Sequence, residues 1–412
     1  MPPRKMNETS PIRGLCLLAA IQLSASSLLA QTPAKPDEAS LRVATYNVSC
    51  YRQSHGQLAA DFSTPDDERG KKLAEVIQRV RPDVILLNEF DHDPEGKPLA
   101  KFLENYLGRS QAGLDPIAYP HRFVAPTNTG EPTGADLDND GRTDGPADCY
   151  GFGRYPGQYG MAVLSRLPIE HESTRTFQKL RWRTMPDARR PMDPTTGEPF
   201  DSEEEWRAYR LPSKSMWDVV VRLSPGATMH FVCSHPTPPV FDGPEDRNGR
   251  RNADEIRLLA DYLSPLASGY IADDRGRLGG LAEHAYFVVA GDLNADPLDG
   301  GGIRGAMDPL LKHPAVSAEL VPRSEGAAES ARRQEELNRD HRGDSAEDTA
   351  DFGGDGHGNL RVDYVLPSRR FKVVGAGVFW PEPGEAGDEA ITATDHRLVW
   401  VDLVTGARPG GN

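Results

Sequence analysis

Val288-Val289-Ala290-Gly291-Asp292-Leu293-Asn294 is an apolar run that ends abruptly in a glycine, an acid and an amide. It is too short for an independent helix and rich in β-branched residues, so it reads as a buried strand. Gly291 is expected to let the backbone turn where the polar residues emerge. The i, i+2 spacing of Asp292 and Asn294 puts both side chains on one face of an extended chain, an acceptor beside a group that both donates and accepts. Such a pair suits a metal-bound water and a phosphoryl oxygen. A polar turn after a core strand has the same composition, so the weight of this reading comes from its recurrence elsewhere.

The pattern does recur. Leu41 to Val48 alternates as a strand and delivers Asn47 near its carboxyl end; Val84-Ile85-Leu86-Leu87 runs into Asn88-Glu89. Between them, Leu73, Val76, Ile77 and Val80 fall at helical spacing, and Arg81-Pro82 stops that helix. Trp217 to Leu223 and Met229 to Ser234 read as an antiparallel pair, the second entering His235-Pro236-Thr237-Pro238-Pro239, where prolines hold the histidine's exit path. A histidine held at a strand end, with a reference pKa near neutrality, is a candidate for proton transfer. Arg361 to Leu366 is another strand with an inward acid, Asp363, and Thr394-Asp395-His396 opens the last one. Adjacent strand residues face opposite ways, so Asp395 is not expected to orient His396, and Asp363 is the carboxylate chosen for that task. Ligands of open α/β sheets collect outside strand ends, where Glu89 is placed as a metal ligand would be.

Composition bounds the rest. The 412 residues carry 62 acidic and 47 basic side chains, a formal charge of -15, with 37% hydrophobic residues, enough for one large globular domain. Strong negative charge argues against general affinity for duplex nucleic acid. Residues 1–30 place Arg4, Lys5 and Arg13 before a broken apolar stretch ending near Ala30, which reads as a secretory signal; 31–40 is a linker, 41–403 the domain and 404–412 a tail. A secreted or periplasmic monomer without a membrane span is expected. Export permits at most one internal disulfide; Cys233, in an apolar run, reads as a buried core residue, and whether Cys50 pairs with Cys149 is left open by the sequence.

Loop insertions are expected at about 110–158, 170–215 and 324–358, the second as a charged surface insertion and the third as a long mobile loop. Within the first, Asp136, Asp138, Asp140 and Asp144 offer oxygens at alternate positions with Gly141 at the sixth, a spacing that suits structural calcium or, equally, a solvated acidic turn. The densest cationic cluster, Arg247, Arg250 and Arg251, precedes a helix from about Ala253 to Leu263 and is a candidate phosphate grip; a salt-bridged helix entry is the other reading.

Taken together, Ala44-Thr45-Tyr46-Asn47, Leu87-Asn88-Glu89, Ser234-His235, Gly291-Asp292-Leu293-Asn294, Arg361-Val362-Asp363-Tyr364 and Thr394-Asp395-His396 resemble the motifs of the endonuclease/exonuclease/phosphatase superfamily over about residues 41 to 403. The resemblance implies an α/β four-layer sandwich of two mostly antiparallel β-sheets flanked by helices. It also implies hydrolysis of a phosphate ester with Mg²⁺, Mn²⁺ or Ca²⁺. Glu89 would be the main metal ligand, helped by Asn47 and Asp395; Asp292 would activate water and Asn294 hold a phosphoryl oxygen. His235 and His396 would take general-acid and electrostatic roles, with Asp363 fixing the ring of His396. Pancreatic-type nucleases pair the residue equivalent to His235 with a glutamate where this chain has Gln158 and Tyr159, so His235 can instead serve mainly to bind phosphate. The implied substrate is a small molecule, nucleotide or lipid headgroup. Acidity and export favour a small phosphomonoester or phosphodiester; a secreted nuclease, or a non-catalytic calcium-binding exported protein keeping the fold, are the alternatives.

Overall fold

Two parallel strand pairs decide where the polar strand ends go. The computed structural model describes Met1 and residues 34–36 and 40–405. The signal reading of residues 1–30 and most of the 404–412 tail therefore lie outside the described residues. In chain order the strands are β1 Leu41–Cys50, β2 Val84–Phe90, β3 His121–Phe123, β4 Met161–Ser165, β5 Arg175–Thr176, β6 Met216–Ser224 and β7 Ala227–Ser234. They continue with β8 Phe287–Asp292, β9 Ala350–Phe352, β10 Gly358–Leu360, β11 Asp363–Pro367, β12 Phe371–Phe379 and β13 Leu398–Thr405. One sheet runs β12-β13-β1-β2-β4-β3, the other β11-β8-β7-β6-β5, and β9 and β10 form a separate hairpin. Among the described pairings each large sheet has one parallel pair, β1 with β2 and β7 with β8, the rest being antiparallel.

A parallel pair cannot be closed by a tight turn and needs a crossover, usually helical. The helix Glu68–Val80 crosses from β1 to β2, capped by the Asp67 carboxylate on Gly70 N–H and ended by Arg81 in the left-handed region. The helix Arg247–Tyr262 crosses from β7 to β8. It starts six residues before the expected Ala253. Gly249 lies in its first turn, where a Cβ would come within 2.1 Å of the Asp246 carboxylate.

Strand periodicity then sorts the core. Phe231, Cys233, Val288 and Ala290 join Val43, Leu86 and Val401 between the sheets, while Val232, Phe287 and Val289 pack with Ile256 and Leu259 of the second crossover helix. β1 and β2 lie against β8. The expected α/β class, with two mostly antiparallel sheets and flanking helices, is the observed one.

Three expectations need correcting. The 170–215 stretch is no surface insertion: Phe177, Leu180, Trp182, Tyr209 and Leu211 are buried against the helix Arg247–Tyr262, their apolar contribution hidden in sequence by the charges between them. The 324–358 stretch is ordered, with the helices Glu325–Arg333 and Glu335–Asn338 and the β9/β10 hairpin. Gly291 makes no turn. It pairs with Tyr364 inside the ladder, and glycine is required because a Cβ would lie 1.8 Å from the Ser234 carbonyl oxygen of β7. Cys50, Cys149 and Cys233 are buried free thiols. No helix among the described residues is long and apolar enough to cross a membrane.

Candidate functional site

The carboxyl ends of β1, β2, β7 and β8 meet at one edge of the packed sheets, carrying Asn47, Glu89, His235 and Asp292. β11 is antiparallel to β8 and begins at the same edge, its Asp363 directly opposite Asp292. His396 precedes β13 by two residues and reaches the same place.

Asp292 is the hub. One of its oxygens, Oδ2, accepts from Asn47 Nδ2 at 3.0 Å and lies 3.4 Å from His235 Nε2 and 3.7 Å from His396 Nε2. His396 Nδ1 is 2.9 Å from Asp363 Oδ2, which also accepts from Thr349 Oγ1 at 2.9 Å. His235 Nε2 is 3.9 Å from Glu89 Oε1. Glu89, Asp292 and His396 thus converge through two imidazoles. Glu89, Ser49 and Asn294 have φ of 55°, 45° and 51°, a left-handed geometry that costs non-glycine residues roughly 1 kcal/mol or more each.

The charges are strongly polarised. Burial lowers the His396 imidazole, but the Asp363 and Asp292 carboxylates overcome this and raise it to about 10, so the ring is an imidazolium at neutral pH. Burial, reinforced by the Lys214 ammonium, lowers His235 to about 4 and keeps it neutral. Asp292 is buried, which by itself raises its pKa, yet His396, His235 and the Asn47 amide hold it well below the carboxylate range. Glu89 is pushed up to about 7 by burial, with Asp292 and Asp395 adding to the rise against Lys214 and His396.

Several groups here lack partners. Both ring nitrogens of His235 and Asp363 Oδ1 are buried without a hydrogen bond, and the Glu89 carboxylate accepts none among the described residues. Carboxylates and an amide carbonyl form a hard oxygen donor set, suited to Mg²⁺, Mn²⁺ or Ca²⁺ rather than to softer ions. Asp292, Asp363 and His396 also bring ligand atoms within 4.8 Å of one another. Asp395 is exposed, with Oδ1 near Ser49 Oγ at 3.4 Å and Thr394 Oγ1 at 3.2 Å. The residues present fit a divalent cation.

Sequence reasoning passed over Lys214. It is only 7% exposed, reaches the Pro236 carbonyl at 3.5 Å, and feels Glu89 and Asp292 strongly enough to offset part of the burial that lowers its pKa. A lone lysine between serines before a strand carries no motif. Glu255 sets this loop by accepting Ser213 N–H at 2.6 Å and Thr237 N–H at 2.8 Å, tying it to the segment after His235.

Other expected residues are placed differently. Asn294 does not continue the extended face: its N–H turns back to Asp292 Oδ1 at 2.9 Å and its Nδ2 donates to the Pro236 carbonyl at 3.1 Å. The arginines are braces rather than a phosphate grip. Arg251 is buried and donates to the carbonyls of Leu211, Tyr150 and Arg210, Arg247 donates to the Leu137 carbonyl, and Arg250 to the Arg190 carbonyl. In the acidic loop, Asp136 and Asp138 gather with Asp148, which the spacing did not suggest. Asp140 instead accepts Arg142 N–H, and Asp144 pairs with the Arg142 guanidinium at 3.0 Å.

The sequence profile of the Endonuclease/Exonuclease/phosphatase family matches residues 44–396. No curated protein matches the chain. Among solved structures, an endonuclease/exonuclease/phosphatase from Beutenbergia cavernae is 19% identical with a TM-score of 0.49, covering 89% of this chain and 72% of that one. The human Nocturnin catalytic domain with bound sulfate is 15% identical with a TM-score of 0.45, covering 90% and 96%. A Staphylococcus aureus beta toxin with bound magnesium ions is 13% identical with a TM-score of 0.43, covering 88% and 99%.

Proposed function

Because the chain belongs to the endonuclease/exonuclease/phosphatase family, we propose that it is an exported, divalent-metal-dependent hydrolase of a small phosphomonoester or phosphodiester. One observation carries the reading: an ionised, buried Asp292 lies between a charged His396, held by Asp363, and a neutral His235 whose Nε2 is 3.4 Å from the same carboxylate oxygen. That asymmetry suits an in-line attack on phosphorus.

In this reading Glu89, Asn47 and Asp395 hold the metal, which when bound acts as a Lewis acid on a phosphoryl oxygen. Asp292 takes or orients the proton of the attacking water at Oδ2, positioned by the Asn47 amide. The His396 imidazolium and the Lys214 ammonium face negative charge developing on the phosphoryl oxygens in a site where burial strengthens their effect. His235 faces the Asp292 carboxylate through Nε2 at 3.4 Å and, once protonated, would supply a proton to the leaving group. Asn294 braces the His235 loop rather than gripping phosphate itself.

The test is hydrolysis of bis(p-nitrophenyl) phosphate and p-nitrophenyl phosphate by the mature protein, with Mg²⁺ or with chelator, beside Asp292→Ala and His396→Ala. Metal-dependent turnover lost in both variants is expected, and the preferred ester separates diesterase from phosphatase. Absence of turnover on these esters, nucleotides, inositol phosphates and phospholipids under every divalent ion would overturn the proposal.

A further inference from the structure

Away from the strand-end cluster, Asp348 is only 7% exposed and lines a cavity of about 280 Å³ together with Asp299, Asn338, Arg339, His341 and Ser345. Its carboxylate makes no hydrogen bond or ion pair with any described residue, so its oxygens face the cavity without a protein partner. Four acids surround it, and each of them is engaged. Asp296 accepts the N–H groups of Leu298, Asp299 and Arg361, and Asp299 those of Arg342 and Gly343. Asp344 and Glu347 pair with Arg323 at 2.6 and 3.0 Å. Asp348 alone of the five faces the cavity unsatisfied. Burial, then the charges of Asp296 and Asp299, push it up to about 8.

The missing partner is a cation. A metal ion needs several ligand atoms around one point, and no third acidic or imidazole group comes within 4.8 Å of Asp348 and a neighbour, unlike the two groups among the described residues that do converge. A single ammonium or guanidinium needs only one carboxylate and a neutral acceptor, which Ser345 provides at the cavity wall. Of the two arginines on the wall, Arg332 is bound to Glu329 at 2.7 Å and Arg339 is exposed and forms no ion pair with Asp348. The volume is at the small end for ligand pockets, suiting a compact metabolite. We propose that this cavity binds a small organic cation bearing an ammonium or guanidinium group, with Asp348 as its counter-ion.

Calorimetric titration of the full chain with putrescine and agmatine, in two buffers of different ionisation heat, tests this, with uncharged 1,4-butanediol as the control. Saturable binding of at least one cation with proton release at neutral pH is expected. Asp348→Asn should weaken it roughly tenfold or more, the usual worth of a charged hydrogen bond. Because that substitution removes an unpaired acid, it should also hold or raise Tm without ligand, whereas ligand should raise Tm less in the variant than in the wild type. No saturable heat from either cation, equal affinity for the diol, or unchanged affinity in Asp348→Asn would overturn the proposal.

Discussion

Among the described residues two groups bring ligand atoms together, Asp292 with Asp363 and His396 at the strand ends, and Asp136 with Asp138 and Asp148 in a loop. They differ in what already occupies them. In the loop, Asp136 accepts the N–H groups of Asp140 and Gly141, and Asp148 those of Leu137 and Gly145, so the carboxylates satisfy the turn that carries them. At the strand ends the acids lean on imidazoles and an amide from distant parts of the chain, and buried polar atoms remain without partners. An acidic motif compatible with metal binding can be complete as a turn; a site shows itself by what it leaves unsatisfied.

The contrast can be broken most sharply at the hub. Asp292→Asn is expected to lower turnover by roughly 10³-fold, with circular dichroism unchanged. An equally active variant would put the strand-end cluster on the same footing as the loop. Lys214→Met tests whether the unpredicted cation belongs to the site, and should cost roughly 10²-fold in kcat/KM while leaving the Mg²⁺ concentration for half activity nearly unchanged.

Glu89 sharpens the comparison through pH. Its carboxyl is raised to about 7, so it is protonated below that pH and cannot hold a cation. With limiting metal, turnover should rise as pH increases through about 7, and excess metal should move the midpoint to lower pH by mass action. A profile insensitive to metal concentration would remove Glu89 from the metal set. Arg251→Met should reduce stability by about 2 kcal/mol, since it strands buried carbonyls, with KM for the ester unchanged; a raised KM would restore the phosphate-grip reading. The smallest effect is expected in the acidic loop. Asp136→Asn with Asp138→Asn should leave turnover within about twofold, because these oxygens cap local N–H groups whose bonds are each worth about 1 kcal/mol.

Much of the fold and of the strand-end cluster is legible in the sequence. Apolar runs of strand length mark β1, β2, β7 and β8, and the helical spacing of Leu73, Val76, Ile77 and Val80 marks the first crossover, because burial leaves its period in the sequence. The polar residues after those runs, Asn47, Glu89, His235 and Asp292, follow from that alone. The choice of Asp363 for His396 rests on strand alternation at Asp395-His396, whereas β13 begins only at Leu398 and the 2.9 Å contact comes from the pairing of β11 with β8.

What lies beyond the reach of sequence depends on which surfaces meet. The buried aromatic residues between 177 and 211 are scattered among charges without a period, so only their docking on the helix Arg247–Tyr262 reveals a core. Lys214 gains its significance from acids far away in sequence. Gly291 is explained by a carbonyl on another strand. Period and residue type determined the elements and the chemistry at their ends. Only the packing of two sheets, each with a parallel pair whose carboxyl ends point the same way, brought those ends within a few ångströms and set which histidine is charged and which is neutral, because desolvation and charge proximity are properties of the assembled fold.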